Sequence, residues 1–271
     1  MTTLGAIFLP QNPPESLRSM ARAADEAGLE ELWLWEDCFL NGGLSAAAAA
    51  LAWTSNVRIG VGITPVPFRN VASAAMEMAT LRRMFGERAI VGIGHGVQEW
   101  MGQVGARPES PMTLLREYAS ALRALLNGES VTTKGRYVNL DGVKLDWPPD
   151  PAPQLVIGAK GPKTLQLAGE LGDATILTAS TTIDGVRAAR QHIDSSTNRV
   201  IVFVQAATGP GAERRVDEVD ALAGDAATIA AGVQRYADAG ADSVILQPTE
   251  DEPDPAGFTR FVAREVRPLV G

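Results

Sequence analysis

Apolar residues along this chain cluster in short, nearly continuous runs rather than in long alternating ones. Eight such runs stand out, at roughly 4–9, 32–36, 57–63, 89–94, 154–158, 174–178, 199–205 and 243–247. Runs of this length with little alternation suit strands covered on both faces, as in a parallel sheet. Between them lie segments of helical period. In 70–85, for example, Val71, Ala74, Ala75, Met78 and Leu81 share one face and Gly86 follows the last turn.

A helix–glycine–strand unit recurs. Ala24–Gly28 leads into Glu31–Trp35, Leu167–Gly172 into Ala174–Leu177, and Tyr236–Gly240 into Asp242–Leu246. In each, glycine can take the left-handed position that ends a helix before a buried strand begins. Eight βα units in 271 residues predict a (β/α)8 TIM barrel forming a single domain over 1–271. A doubly wound sheet is the alternative, because strand order is not written in the pattern. One connection, 96–153, is too long for a simple crossover and reads as an insertion between the fourth and fifth strands. It holds a helix (112–127) and then a β-hairpin over 130–145, with turn signals at Lys134-Gly135 and Asp141-Gly142. Residues 207–225 form a second long connection with no legible pattern.

Composition narrows the partners. Lys and Arg total 24 against 32 Asp and Glu, a formal net charge of -8, so neither nucleic acid nor an anionic membrane surface is an expected partner. The longest apolar stretch, Ala46–Trp53, is far short of a membrane span. The apolar run Leu4–Pro10 has no basic residue before it and does not read as a signal peptide. With Cys38 the only cysteine, no intrachain disulfide is possible, and the cytoplasm is the expected compartment. One cysteine and two histidines also exclude a Cys-based or His-rich metal centre, and no metal site is predicted.

In a barrel the chemistry sits where strands end. Those ends read Pro10-Gln11, Glu36-Asp37-Cys38, Thr64-Pro65, His95 to Glu99, Ala159-Lys160-Gly161, Thr178, Gln205 and Gln247-Pro248. Glycines before Pro162 open a helix start to close backbone approach, and Lys160 and Lys163 add charge. Free amides and a helix dipole there suit an anion such as phosphate; a capped helix with solvated lysines has the same sequence. Gly92 to Glu99 is not a dinucleotide fingerprint, since Val97 stands where a third Gly or Ala is needed. His95, at a strand end among glycines, is a candidate acid/base, whereas His192 falls in a predicted surface helix. Glu36 and Asp37 are adjacent and so point to opposite sides, one to the site and one to a structural partner. No nucleophile elbow or Walker loop occurs.

Four strand ends in register, Leu34–Phe39, Gly60–Pro65, Gly92–Glu99 and Gly158–Leu165, with Leu167–Asp173 after them, resemble the bacterial luciferase-like superfamily of flavin- or deazaflavin-dependent oxidoreductases. The resemblance implies a barrel with an insertion, a homodimer, and coenzyme F420 or, alternatively, FMN at the strand ends. By position it implies Asp37 near the cofactor ring, Val61-Gly62 as a bulge backing the ring, Gly94 and Gln98 beside it, and Ala159, Lys160 and Gly161 as the phosphate loop. Some family members carry a catalytic histidine where this chain has Asp37 and Cys38. The expectation is therefore F420-based hydride transfer to or from a small, largely apolar organic substrate, with His95 or Asp37 moving the proton. Trp100, Met101 and Met112 are expected on the substrate side. An FMN monooxygenase, a cofactor-binding barrel without catalysis, and a non-redox barrel for a phosphorylated metabolite are the alternatives.

Overall fold

The computed structural model describes residues 2–271. In chain order its elements begin β1 (Thr3–Phe8), α1 (Leu17–Ala27), β2 (Glu31–Leu34), α2 (Gly43–Trp53), β3 (Arg58–Pro65), α3 (Val71–Phe85) and β4 (Ala89–Gly94). The insertion then contributes α4 (Gln98–Gln103), α5 (Pro111–Leu126) and the antiparallel hairpin β5 (Val131–Lys134) and β6 (Asn139–Val143). The barrel resumes with β7 (Val156–Gly158), α6 (Pro162–Leu171), β8 (Ala174–Leu177), α7 (Ile183–Ile193) and β9 (Arg199–Ala207). It closes with α8 (Ala212–Arg215), β10 (Leu222–Ala223), α9 (Ala226–Asp238), β11 (Ser243–Pro248) and α10 (Pro255–Phe261).

Eight strands pair in parallel in the order β9-β11-β1-β2-β3-β4-β7-β8, and β8 pairs back onto β9. That last pairing closes the sheet and excludes the doubly wound alternative. Each strand matches an apolar run of the sequence, and the insertion helix and hairpin lie where the pattern puts them. The unread connection 207–225 holds the four-residue α8 and the two-residue β10, which extends the sheet at β9.

Strand alternation divides the core in two. Residues such as Leu32, Leu34, Val61, Ile93 and Ile157 face the surrounding helices. Ile7, Leu9, Trp33, Val156, Ile176, Ile201, Phe203 and Ile245 fill the barrel. Trp33 fits there because the neighbouring strand offers Gly60, where any Cβ would overlap the indole. Phe203 meets Trp33 edge-on, with centroids 5.6 Å apart, and stacks on Trp35 at 6.1 Å. At the opposite end Glu31 is sealed by the Trp33 indole N–H (2.8 Å) and Arg58 (2.5 Å).

Candidate active site at the barrel mouth

The floor of the mouth is built from strand positions that point inward. Gly62, Gly94 and Gly158 lie on three adjacent strands, and the Ile63 side chain lies over Gly92, Gly94 and Gly158. The sequence places the β3 bulge at Val61-Gly62. The register shift does fall between Val61 and Thr64, but the non-proline cis peptide joins Gly62 to Ile63, one residue later. Val61 itself packs into the helix layer, and a Cβ on Gly62 would come within 2.7 Å of Phe203. Ile63 thus covers the floor, a residue that sequence reasoning passed over. The row of glycines on neighbouring strands was its signal.

Glu36 and Asp37 separate as alternation requires. Glu36 turns to the helix layer, where it takes both arms of Arg69 and the Gly43 amide (2.8 Å). Alternation sends Asp37 the other way; its backbone carbonyl accepts from the Leu40 amide at 2.9 Å, and its carboxylate has no hydrogen-bond partner among the described residues. Burial pushes its carboxyl above the usual carboxylate range. The Cys38 thiol is raised too, by burial first and then by Glu36 and Asp37.

His95 goes the other way. Gly94 faces the barrel, so His95 continues on the helix-facing side, and its Nε2 lies 3.2 Å from the Thr164 hydroxyl of α6. Thr164 in turn donates to the Met112 sulfur at 3.3 Å. Burial lowers the pKa of His95, with a smaller opposing effect from the Pro111 backbone, and Nδ1 makes no hydrogen bond. Gln98 opens α4 and folds its amide back onto the carbonyls of His95 (3.0 Å) and Gly96 (3.4 Å). Met101 is wholly buried. Trp100 and Met112 are half-buried, and Phe39, Leu40 and Val97 are exposed apolar residues on the loops after β2 and β4.

The fifth barrel strand delivers the predicted loop to the mouth. Ala159 departs from expectation: it is buried, and its amide donates to the Ile176 carbonyl at 3.0 Å. Free amides therefore begin at Lys160 and Gly161. Pro162 occupies the first helical turn, and Gly161 accepts from Thr164 and Leu165, both at 3.0 Å. Lys160 and Lys163 are exposed and have no ion-pair partner among the described residues.

Further round the mouth, Gln205 is spent on structure. It grips the Asp217 carboxylate and amide and the Glu218 amide, pinning the segment that follows β9. Trp35 Nε1, Gln98 Oε1 and Gln247 Oε1 are buried without partners. Buried polar atoms without partners, a carboxyl raised by burial and a helix start with free amides are features that a flat ring with polar edges and an anionic tail would fit. A cavity of about 610 Å³ lies elsewhere, against the insertion.

A family model described as luciferase-like monooxygenase matches residues 2–252. The chain is 33% identical over 179 residues to a 5,10-methylenetetrahydromethanopterin reductase of Methanolobus tindarius, covering 66% of this chain and 54% of that protein. It is likewise 33% identical over 190 residues to an F420-dependent glucose-6-phosphate dehydrogenase of Kineococcus radiotolerans, covering 64% and 55%. The chain thus spans about half the length of the curated relatives it matches. Among solved structures, the coenzyme F420 dependent tetrahydromethanopterin reductase of Methanopyrus kandleri superposes with a TM-score of 0.86 at 21% identity, covering 100% and 99% of the two chains. The FMN complex of the oxygenating constituent of 3,6-diketocamphane monooxygenase from Pseudomonas putida gives 0.79 at 16%, with the same coverage. These structural likenesses establish the barrel.

Proposed function

The chain belongs to the luciferase-like monooxygenase family, and from that premise we propose that it is an oxidoreductase using coenzyme F420 for hydride transfer to or from a small organic substrate. The observation that carries this reading is the pairing, across one glycine-floored mouth, of the unpartnered, desolvated Asp37 with the free amides and lysines that open α6. Relatives named for F420 support it, and no histidine stands at Asp37 or Cys38 to favour the other chemistries of the family.

In this reading the amides of Lys160 and Gly161 hold the cofactor's phosphate, aided by Lys160 and the α6 dipole. Ile63, backed by Gly62 and Gly94, supports the ring face, and Gln98 closes the strand-four side. When bound, the deazaflavin supplies the carbon that gives or takes the hydride. The protein holds the partners in line and excludes water. Asp37, facing inward with a raised pKa, is the better-placed proton carrier. His95, engaged by Thr164, positions the start of α6 against α5 rather than reaching the reacting atoms. The substrate is small and meets the apolar rim of Phe39, Leu40 and Val97.

The test is a titration of the chain with F420 and, separately, FMN. F420 is expected to bind at least about tenfold tighter, and a hundredfold excess over Kd to add about 2.7 kcal/mol of stability. Preference for FMN would favour the monooxygenase alternative. Failure of both to raise the Tm would leave the non-redox barrel. A homodimer belongs to the same proposal: Met76 and Met84 stand 62% and 66% exposed on the outer side of α3, a surface for a second copy to cover. Sedimentation equilibrium decides it. No described helix is long and apolar enough to cross a membrane.

A further inference from the structure

We propose that the cavity beneath the insertion is a second binding site, for a small organic oxyanion with a flat apolar body. At about 610 Å³ it has the size of a ligand pocket. The one-turn helix Val66–Phe68 after β3, the start of α3, the loop between α4 and α5, α5 itself and the hairpin line it as a cleft open to solvent. None of its described lining residues is acidic, in a chain with 32 Asp and Glu. Two arginines line it. Arg69 is already held by Glu36 and Glu77, so the free charge is that of Arg107, which has no carboxylate partner among the described residues.

The second observation is Tyr118. This residue is only 3% exposed, lines the cavity, and its hydroxyl makes no hydrogen bond with any described residue. The oxygen is not sealed in: it keeps accessible surface on the cavity side, where an occupant's acceptor atom can take its hydrogen bond. Burial raises its pKa, which keeps the proton on the oxygen and makes it a donor. A neutral donor that shares the cavity lining with the unpaired Arg107 suits a carboxylate or phosphate oxygen. Phe68, Leu114 and the Tyr137 ring supply flat and apolar walls for the rest of the molecule.

Calorimetric titration of the full chain with benzoate, phenyl phosphate and the neutral benzamide tests this at low ionic strength, where an exposed arginine is least screened. One of the two anions should bind at least about tenfold tighter than benzamide, and which one it is separates carboxylate from phosphate ligands. Arg107→Gln and Tyr118→Phe should each weaken that anion about tenfold, and Lys163→Gln at the α6 loop should leave it unchanged. Equal affinity for benzamide, anion binding indifferent to both cavity variants, binding lost in Lys163→Gln, or no binding by about 10 mM would each overturn the proposal. Circular dichroism of the Tyr118→Phe variant confirms that any loss is not unfolding, and Arg107→Gln changes only an exposed loop side chain.

Discussion

The Asp37 carboxyl is half-buried without a counter-charge, whereas Glu36 beside it is buried with one. Glu36 accepts from Arg69 and from the Gly43 amide, whereas the Asp37 carboxylate has no hydrogen-bond partner among the described residues. Its folded-state pKa is raised above the unfolded value. Between those two values the fold holds a proton that the unfolded chain has lost, so stability falls as pH rises through that window and stays reduced above it. Asp37→Asn is therefore expected to raise the Tm at pH 7, with the gain vanishing below the ordinary carboxylate pKa of about 3.9. The same variant should lose at least about a hundredfold in kcat if Asp37 moves the proton. Unaltered turnover would remove it from the mechanism. That adjacent acids part company was legible from alternation alone. Which of them was structural was not, because Arg69 lies 33 residues away in the chain. For His95 the parity was on the page as well: inward Gly94 follows outward Ile93, which turns the next side chain towards the helices.

At the scale of elements, glycines decide how closely helices and loops approach, and two in α6 and its cap separate packing from binding. Gly169 lies against the end of α7, where a Cβ would overlap the Ile193 carbonyl. Backbone cannot swing aside as a side chain can, so Gly169→Ala should cost about 3 kcal/mol or more in urea denaturation. Gly161, the N-cap of α6, has ordinary extended angles (φ -92°, ψ 158°) and nothing within 4 Å of an added Cβ. Gly161→Ala should leave stability within about 0.5 kcal/mol yet weaken F420 about tenfold if phosphate approaches that backbone. Unchanged affinity in Gly161→Ala would move the anion elsewhere. The helix and its Pro162 start were readable from turn chemistry. The floor was less so, because the β3 irregularity depends on Ile63 packing over glycines of two other strands, contacts that no local window contains.

For the whole molecule, closure of the barrel is the step that strand patterns leave open, and the structure secures it at the end away from the mouth. Arg190 of α7 donates to the carbonyls of Gly240 and Asn198, both at 2.7 Å, and pairs with Asp242. Asp242 also accepts the Val200 amide at 2.7 Å, so one cluster ties α7 to the starts of β9 and β11. Arg190 reaches Gly240 and Asp242 across 50 and 52 positions, in loops of no period, which is why the 3.6 and 2.0 repeats could count strands but not close them. In a barrel this face serves stability, while the strand ends about 20 Å away serve chemistry. Arg190→Met keeps much of the side chain's length but strands Asp242 and frees two carbonyls. Since the pair is partly exposed, the expected loss is about 2 kcal/mol, read as a lower urea midpoint with the m-value unchanged. F420 affinity, measured well below the new midpoint, should stay within about twofold of the parent. A Kd that weakens in step with stability would mean that the two ends of the barrel are coupled, and that the mouth depends on the closure as well as on its own loops.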